Sequence, residues 1–343
     1  MLVGPVRGIA IAGGGVAWPA RVVDNVAALR TVVRDLDDER VAFMAKEGVA
    51  DALGIERRAW AHVPGTPFDH ATEETTATLA VRAARAALAD AGVGDVPLVI
   101  CATATPPRMT SSIAAFVGAE LGMRAACIDI RTGCSGGLVA LLTASLYLAA
   151  GTTRVLVIGS ETFSKIIPKA SKVAAVTLGD GAAAVVVERR DEDEGAITGF
   201  METDGALGVL ATAPGALPPT HDEIDRGAYE LAGEPDELAA VVPGKYAEAI
   251  QAVLRRTDTS AAEIDLFVPH QTTRPLIEAV AEKAGIAREK IFTNVAEHAN
   301  VGSAALLGAL VEARAAGRVP KRKRVLMAVV GGGMTWASAI LET

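Results

Sequence analysis

Cys134 stands in the segment CIDIRTGCSGG (residues 127–137), where an apolar, β-branched run gives way to glycines and then to a charge-free helical pattern. A thiol at that junction would lie at a helix amino terminus, facing free backbone N–H groups and the positive end of the helix dipole. Those surroundings predict a lowered pKa and a thiolate available near neutral pH, hence attack on an acyl group. Gly133 permits the sharp turn, while Ser135, Gly136 and Gly137 keep bulk away from the sulfur. A buried structural cysteine is the competing reading. It is the one we take for Cys101 and Cys127, which lie inside apolar runs.

Three other positions offer matching chemistry. His270 follows an apolar run directly, in Val-Pro-His-Gln-Thr. Ligands of open α/β sheets gather beyond the carboxyl ends of strands, so an imidazole there is a candidate base or donor, with a structural histidine as the alternative. Asn300, in HANVGSAA, opens a small-residue helix and can either present its amide to a ligand or, like Ser303, cap that helix. The last long apolar run ends in Gly331-Gly332-Gly333, whose amides can approach an oxyanion closely or simply form a turn. His62, His70 and His221 sit in Pro- or Asp-rich stretches and are expected to face solvent. Gly13-Gly14-Gly15 fails as a dinucleotide loop, because Trp18 takes the third glycine position and Pro19 would disrupt the next helix. No spacing of His and Cys suits a metal.

The elements that must position these groups alternate. Strands are expected over 7–12, 97–103, 126–130, 154–159 and 181–188, then 195–203, 263–269, 290–293, 324–330 and 337–341. Helical patterns cover 72–91, 111–121, 136–150, 245–256, 273–284 and 303–316. This is a layered α/β protein. Residues 83–105 and 247–273 share one grammar: helix, acidic turn, strand, polar tail. That echo predicts two similar halves, 1–190 carrying the cysteine and 191–343 carrying the histidine and asparagine, joined at the charged stretch 188–194. Residues 213–226, with three prolines, are expected to form an exposed insertion.

Composition narrows the function classes. Half of the 343 residues are hydrophobic, enough for a sizeable core and too many for disorder. Against 41 Asp and Glu there are 33 Lys and Arg, a net charge of −8, which excludes a broad nucleic-acid footprint. Three cysteines without a CxxC pair fit a reducing compartment. Residues 1–16 lack the apolar stretch of a secretory signal, and the charge-free run 132–153 reads as a helix buried on all sides rather than a membrane span. The expectation is a cytoplasmic protein without membrane contact. The basic run 321–324 reads as a solvated loop.

In order, TGCSGG, GDGAAAVVVE (residues 179–188), VPHQT, HAN and GGGMTWAS, with Pro19, Val22 and Asn25 near the start, resemble the β-ketoacyl-acyl carrier protein synthase III-like family of the thiolase superfamily. The resemblance spans nearly the whole chain. It implies a five-layer α-β-α-β-α sandwich of two duplicated halves, usually a homodimer. It also implies roles: Cys134 takes an acyl group from a coenzyme A or carrier-protein thioester, and the amides of Cys134 and Gly332 form the oxyanion hole. His270 and Asn300 hold the carbonyl of a malonyl extender while carbon dioxide leaves. Neither a metal nor a redox cofactor is implied.

The chain also departs from that pattern. Val330 stands where these synthases usually carry Phe, Thr273 where Asn commonly follows the His, and Ala299 where Gly usually precedes the Asn. The region of the family's adenine-stacking Trp is rewritten over residues 39–60. Thr110, in TPPRMTSS beside Arg108, replaces a bulky Phe and implies room for a longer acyl chain. The absence of Glu between residues 101 and 119 argues against the branches that use a glutamate base. Lys165, Lys169, Lys172 and Arg274 could receive a phosphopantetheine phosphate or an acidic carrier, or could be ordinary surface charges. The leading reading is decarboxylative condensation in fatty-acid or polyketide biosynthesis. The second is transfer of the acyl group to a hydroxyl or amine with His270 as base. A third is a non-catalytic partner subunit.

Overall fold

The computed structural model describes residues 1–169, 171–319 and 321–343. Its ten long strands are β1 Leu2–Arg7, β2 Ile9–Ala17, β3 Leu98–Ala102, β4 Ala126–Ile130, β5 Arg154–Thr162, β6 Asp180–Arg189, β7 Ala196–Thr203, β8 Leu266–Pro269, β9 Arg324–Gly331 and β10 Thr335–Glu342. The principal helices are α1 Thr76–Ala91, α2 Ile113–Glu120, α3 Gly136–Ala149, α4 Pro235–Arg256, α5 Arg274–Lys283 and α6 Ser303–Ala315.

Strands β2-β6-β5-β3-β4 form one sheet and β1-β7-β10-β9-β8 the other. Each sheet has the same core. A parallel pair (β3 with β5, β8 with β9) sits beside an antiparallel run (β5-β6-β2, β9-β10-β7). Helices α1 and α2 pack on the outside of the first sheet, α4 and α5 on the outside of the second, and α3 and α6 lie between. Five layers result. The two central helices must be apolar all round, and they are: Leu138, Leu141 and Leu142 of α3 and Leu306, Leu307 and Leu310 of α6 are buried between both sheets. Burying each such leucine contributes about 1.5–3 kcal/mol.

The structure corrects several expectations. Residues 290–293 are not a strand. A 3-10 turn, Arg288–Lys290, leads into a single parallel bridge, Phe267 with Ile291. The next rung is lost because the Gln271 side chain, not a backbone carbonyl, accepts the Asn294 N–H at 2.9 Å. In the second sheet this bridge stands where the β3–β4 pairing stands in the first. The segment 7–12 divides at Gly8, so that β1 joins the second sheet and β2 the first. Helix α3 is not enclosed at its far end, where Leu146 and Tyr147 are exposed. His62 is buried and pairs with Glu73 Oε1 at 2.9 Å, because the loop before α1 folds over it. The insertion 213–226 is largely exposed but carries a short helix, His221–Asp225.

Gly13 and Gly15 serve packing. A Cβ on Gly15 would lie 2.5 Å from the Ala83 carbonyl oxygen, and one on Gly13 equally close to that of Ala87. Glycines in β2 thus let the alanine-rich face of α1 touch the strand backbone. Among the described residues, no helix is long and apolar enough to cross a membrane, and no cluster of three His, Cys, Asp or Glu side chains is placed to hold a metal ion.

Candidate active site

The nucleophile turn leaves the end of β4, passes through the 3-10 segment Gly133–Ser135 and enters α3 at Gly136. Pressed against it is the turn joining β9 to β10. Gly133 has φ +57°, and a Cβ there would stand 2.6 Å from the Gly332 carbonyl oxygen; a Cβ on Gly331 would stand 2.9 Å from the Cys134 nitrogen. Only backbone fits between the two turns. Their closeness brings the amides of Gly332 and of Cys134 itself onto the Cys134 sulfur.

Asn300 reaches the same atom. Its backbone is fixed on both sides, donating to the Thr177 carbonyl at 2.9 Å and accepting from the Gly179 N–H at 3.0 Å. Its Oδ1 accepts from the Gly302 N–H at 2.9 Å. That bond leaves the carboxamide N–H₂ to donate to the cysteine sulfur. Neither Asn300 nor Ser303 caps α6; Gly302 stands at the cap position.

Reaching this position requires an unusual backbone at Ala299, with φ +57° and ψ −155°, a region that side chains with a Cβ avoid. Ala299 is 1% exposed and cannot relax outward. We therefore expect Ala299→Gly to stabilise the fold by about 1–2 kcal/mol, the released strain exceeding glycine's entropic cost. A urea midpoint equal to or below that of the parent chain would contradict this account.

His270 comes from the end of β8, its N–H donating to the Ala328 carbonyl of β9 at 2.8 Å. The side chain is 1% exposed and Nδ1 has no hydrogen-bond partner. Burial pushes its pKa down to about 4, so the imidazole is neutral at physiological pH.

The expectation for Cys134 is overturned. Burial, and then the charge of Glu161, push the thiol up to about 12, against the lowering by Asn300 and the two amides. Although part of the residue is exposed, its sulfur is desolvated, and the helix-terminus donors do not offset that. Near neutral pH Cys134 carries a thiol and His270 a neutral imidazole.

Two residues that the sequence reading passed over belong here. Glu161, at the end of β5, is fully buried and acts electrostatically on Cys134. An acid closing the apolar run VLVIGSE was the available signal. Tyr246 of α4 is 2% exposed, and burial, then the neighbouring Cys134, raise its phenol pKa. Nothing local in the sequence marks it.

Of the remaining candidates, Val330 bonds Tyr246 through its backbone, and the others make their contacts elsewhere. Arg108 and Thr110 are exposed on the loop after β3. Val330 is buried in β9 at 7% exposure, paired with Trp336. The Lys165 ammonium donates to the Glu74 carbonyl at 2.8 Å and stands 3.7 Å from Glu73 Oε2, while Lys169 and Lys172 are exposed. Arg274 lies over Gly54 and reaches the Ala50 carbonyl at 3.4 Å.

Comparison with known proteins gives one consistent result. Residues 128–205 match the family pattern described as 3-oxoacyl-[acyl-carrier-protein (ACP)] synthase III, and residues 254–343 match that described as its C terminal. The beta-ketoacyl-[acyl-carrier-protein] synthase III of Sinorhizobium medicae is 35% identical over 341 residues, covering 97% of this chain and 98% of that protein. The protein of the same name from Brucella abortus is 34% identical with the same coverage. The crystal structure of 3-oxoacyl-[acyl-carrier-protein] synthase III from Aquifex aeolicus superposes with a TM-score of 0.84 at 30% identity, covering 98% of this chain and all of that one.

Proposed function

The chain belongs to the 3-oxoacyl-[acyl-carrier-protein] synthase III family, and from that premise we propose that it loads an acyl group onto Cys134 and condenses it, with loss of carbon dioxide, with a malonyl thioester. It is an acyltransferase of fatty-acid or polyketide biosynthesis. The observation that carries the assignment of residues is the convergence on one sulfur of the Cys134 and Gly332 amides and the Asn300 carboxamide, two of them supplied by the second sheet's side of the molecule.

Acylation starts from the neutral pair. The Cys134 sulfur attacks the thioester carbonyl of a coenzyme A or carrier-protein donor, and its proton leaves with the departing thiol. His270, neutral and buried, is the group suited to relay it. The Cys134 and Gly332 amides, already directed at this point, hold the oxyanion. Once the sulfur is acylated, Asn300 no longer has a thiol to donate to, and its N–H₂ is free for the malonyl thioester carbonyl together with the imidazole. As the carboxylate departs as carbon dioxide, its electron pair becomes the enolate held by those two donors. The carbanion attacks the acyl carbonyl, the carbon–sulfur bond to Cys134 breaks, and the sulfur recovers a proton. The chemistry is written with this chain's side chains and the two thioesters.

Intact-mass measurement with a panel of acyl-coenzyme A species, followed by malonyl-carrier protein and detection of carbon dioxide, tests the proposal. Mass gain followed by gas release supports condensation. Mass gain without gas from any acyl form replaces it by transfer to a hydroxyl or amine.

We read residues 1–190 and 191–343 as the two duplicated halves, and a second copy of the chain as the partner. Strand β4 ends the first sheet with a half-exposed edge, and Met109 and Phe116 are exposed beside it, 72% and 40%. An open edge flanked by apolar side chains is suited to pairing with its own copy. Sedimentation at micromolar concentration should give the mass of two chains. A single-chain mass overturns this part of the proposal.

A further inference from the structure

Glu161 is the one fully buried carboxylate whose charge reaches the reactive sulfur. Its partners come from two separate segments. After β3, the Thr103 hydroxyl donates to Oε2 at 3.2 Å, the Ala104 N–H to Oε1 at 3.0 Å, and the Thr105 hydroxyl to Oε2 at 2.6 Å. From the start of α6, the Ser303 hydroxyl lies 2.7 Å from Oε1 and shares itself with the Ala102 carbonyl at 2.9 Å, and the Ser303 N–H also faces the carboxylate. Ser303, the first residue of α6, is three residues beyond Asn300, and the helix has no side-chain cap of its own. Burial raises the pKa of the Glu161 carboxyl above the ordinary carboxylate value, and the bonds from Thr105, Ser303 and Ala104 work against that rise.

We propose that Glu161 is a positioning residue: its carboxyl group clips the loop bearing Asn300 to the segment that follows β3. The proposal rests on the reading of Cys134 as the nucleophile. The clip sets where the Asn300 N–H₂ points, and so governs decarboxylation. Glu161 opposes a negative sulfur, His270 at the end of β8 is uncharged, and Asp129 of β4 faces Cys101 and Cys127 instead. Glu161 is thus the only carboxylate among the described residues shown to act on Cys134.

The 343-residue chain carries the test, read by intact mass for acyl loading and by trapped gas for decarboxylation. Ser303→Ala removes the hydroxyl on the α6 side of the clip, and Thr105→Val removes the shortest hydroxyl bond on the β3 side. In each, carbon dioxide release from malonyl-carrier protein should fall about tenfold while acyl loading of Cys134 stays within about threefold. Glu161→Gln, which puts a donor where the facing groups are donors, should show the same split. Equal losses of loading and gas release in Ser303→Ala, or gas release that stays at the parent's rate, overturn the clip. Should Glu161→Gln not fold, the Ser303→Ala and Thr105→Val chains decide the matter. If the parent chain takes up no acyl group from any donor, the failure lies in the function assigned to Cys134 and not in the clip.

Discussion

Alanine in place of Cys134 abolishes acyl uptake from every thioester and lowers condensation by about 10³-fold or more, because no other group can carry the covalent intermediate. Cys101 is sealed inside β3 with its pKa raised well above the ordinary value, and Cys127 lies in β4 with a raised pKa of its own. Neither can substitute. The variant should fold, since the turn is held by backbone contacts between Gly133, Gly331 and Gly332 rather than by the sulfur. It should also keep a slow release of carbon dioxide from a malonyl thioester, the proposed enolate donors His270 and Asn300 being untouched. Intact mass and trapped gas read the two effects separately. Persistent mass gain in Cys134→Ala would remove the nucleophile from this site.

Asn300→Ala should separate the two half-reactions in the other direction. Decarboxylation is expected to fall about 10²–10³-fold, the range for withdrawing one preorganised donor from a developing oxyanion. Acylation should stay within about tenfold, because the Cys134 and Gly332 amides, proposed to hold its oxyanion, remain. Loss of the Oδ1 bond from the Gly302 N–H loosens the entry to α6, so a modest drop in stability is expected alongside. Single-turnover loading and gas release, measured on the same preparation, decide the matter. Equal losses in both would show that Asn300 serves the acyl-enzyme and not the enolate.

How far the sequence carried is clearest at particular residues. The turn around Cys134 and the strand end before His270 were legible because each rests on local rules: a β-branched run, a glycine break, a change of period. The triple glycine was legible as a close approach, although what approaches it is another stretch of backbone. The state of the sulfur was not legible. A helix terminus can be read from sequence, but Glu161 is 27 residues away and its charge reaches Cys134 only through the packing of β5 beside β3. The strand expected over 290–293 failed because apolar alternation says nothing about whether a neighbouring rung is taken, here by the Gln271 side chain. His62 looked exposed because its loop is polar, yet a single carboxylate, Glu73, suffices to bury it. Gly13 and Gly15 imitated a phosphate loop because close helix packing and close ligand approach make the same demand on side-chain size.

The interlocked glycine turns have a consequence for how the chain comes to life. One turn lies at residues 133–135 and the other at 331–333, so one wall of the reactive pocket is translated about 200 residues after the sulfur it must host. While the ribosome is still making the second sheet, the nascent first half offers a cysteine with no companion amide from Gly332. Turnover therefore cannot begin until the hairpin of β9 and β10 has emerged and docked, and activity doubles as a report that the second sheet has closed on the first.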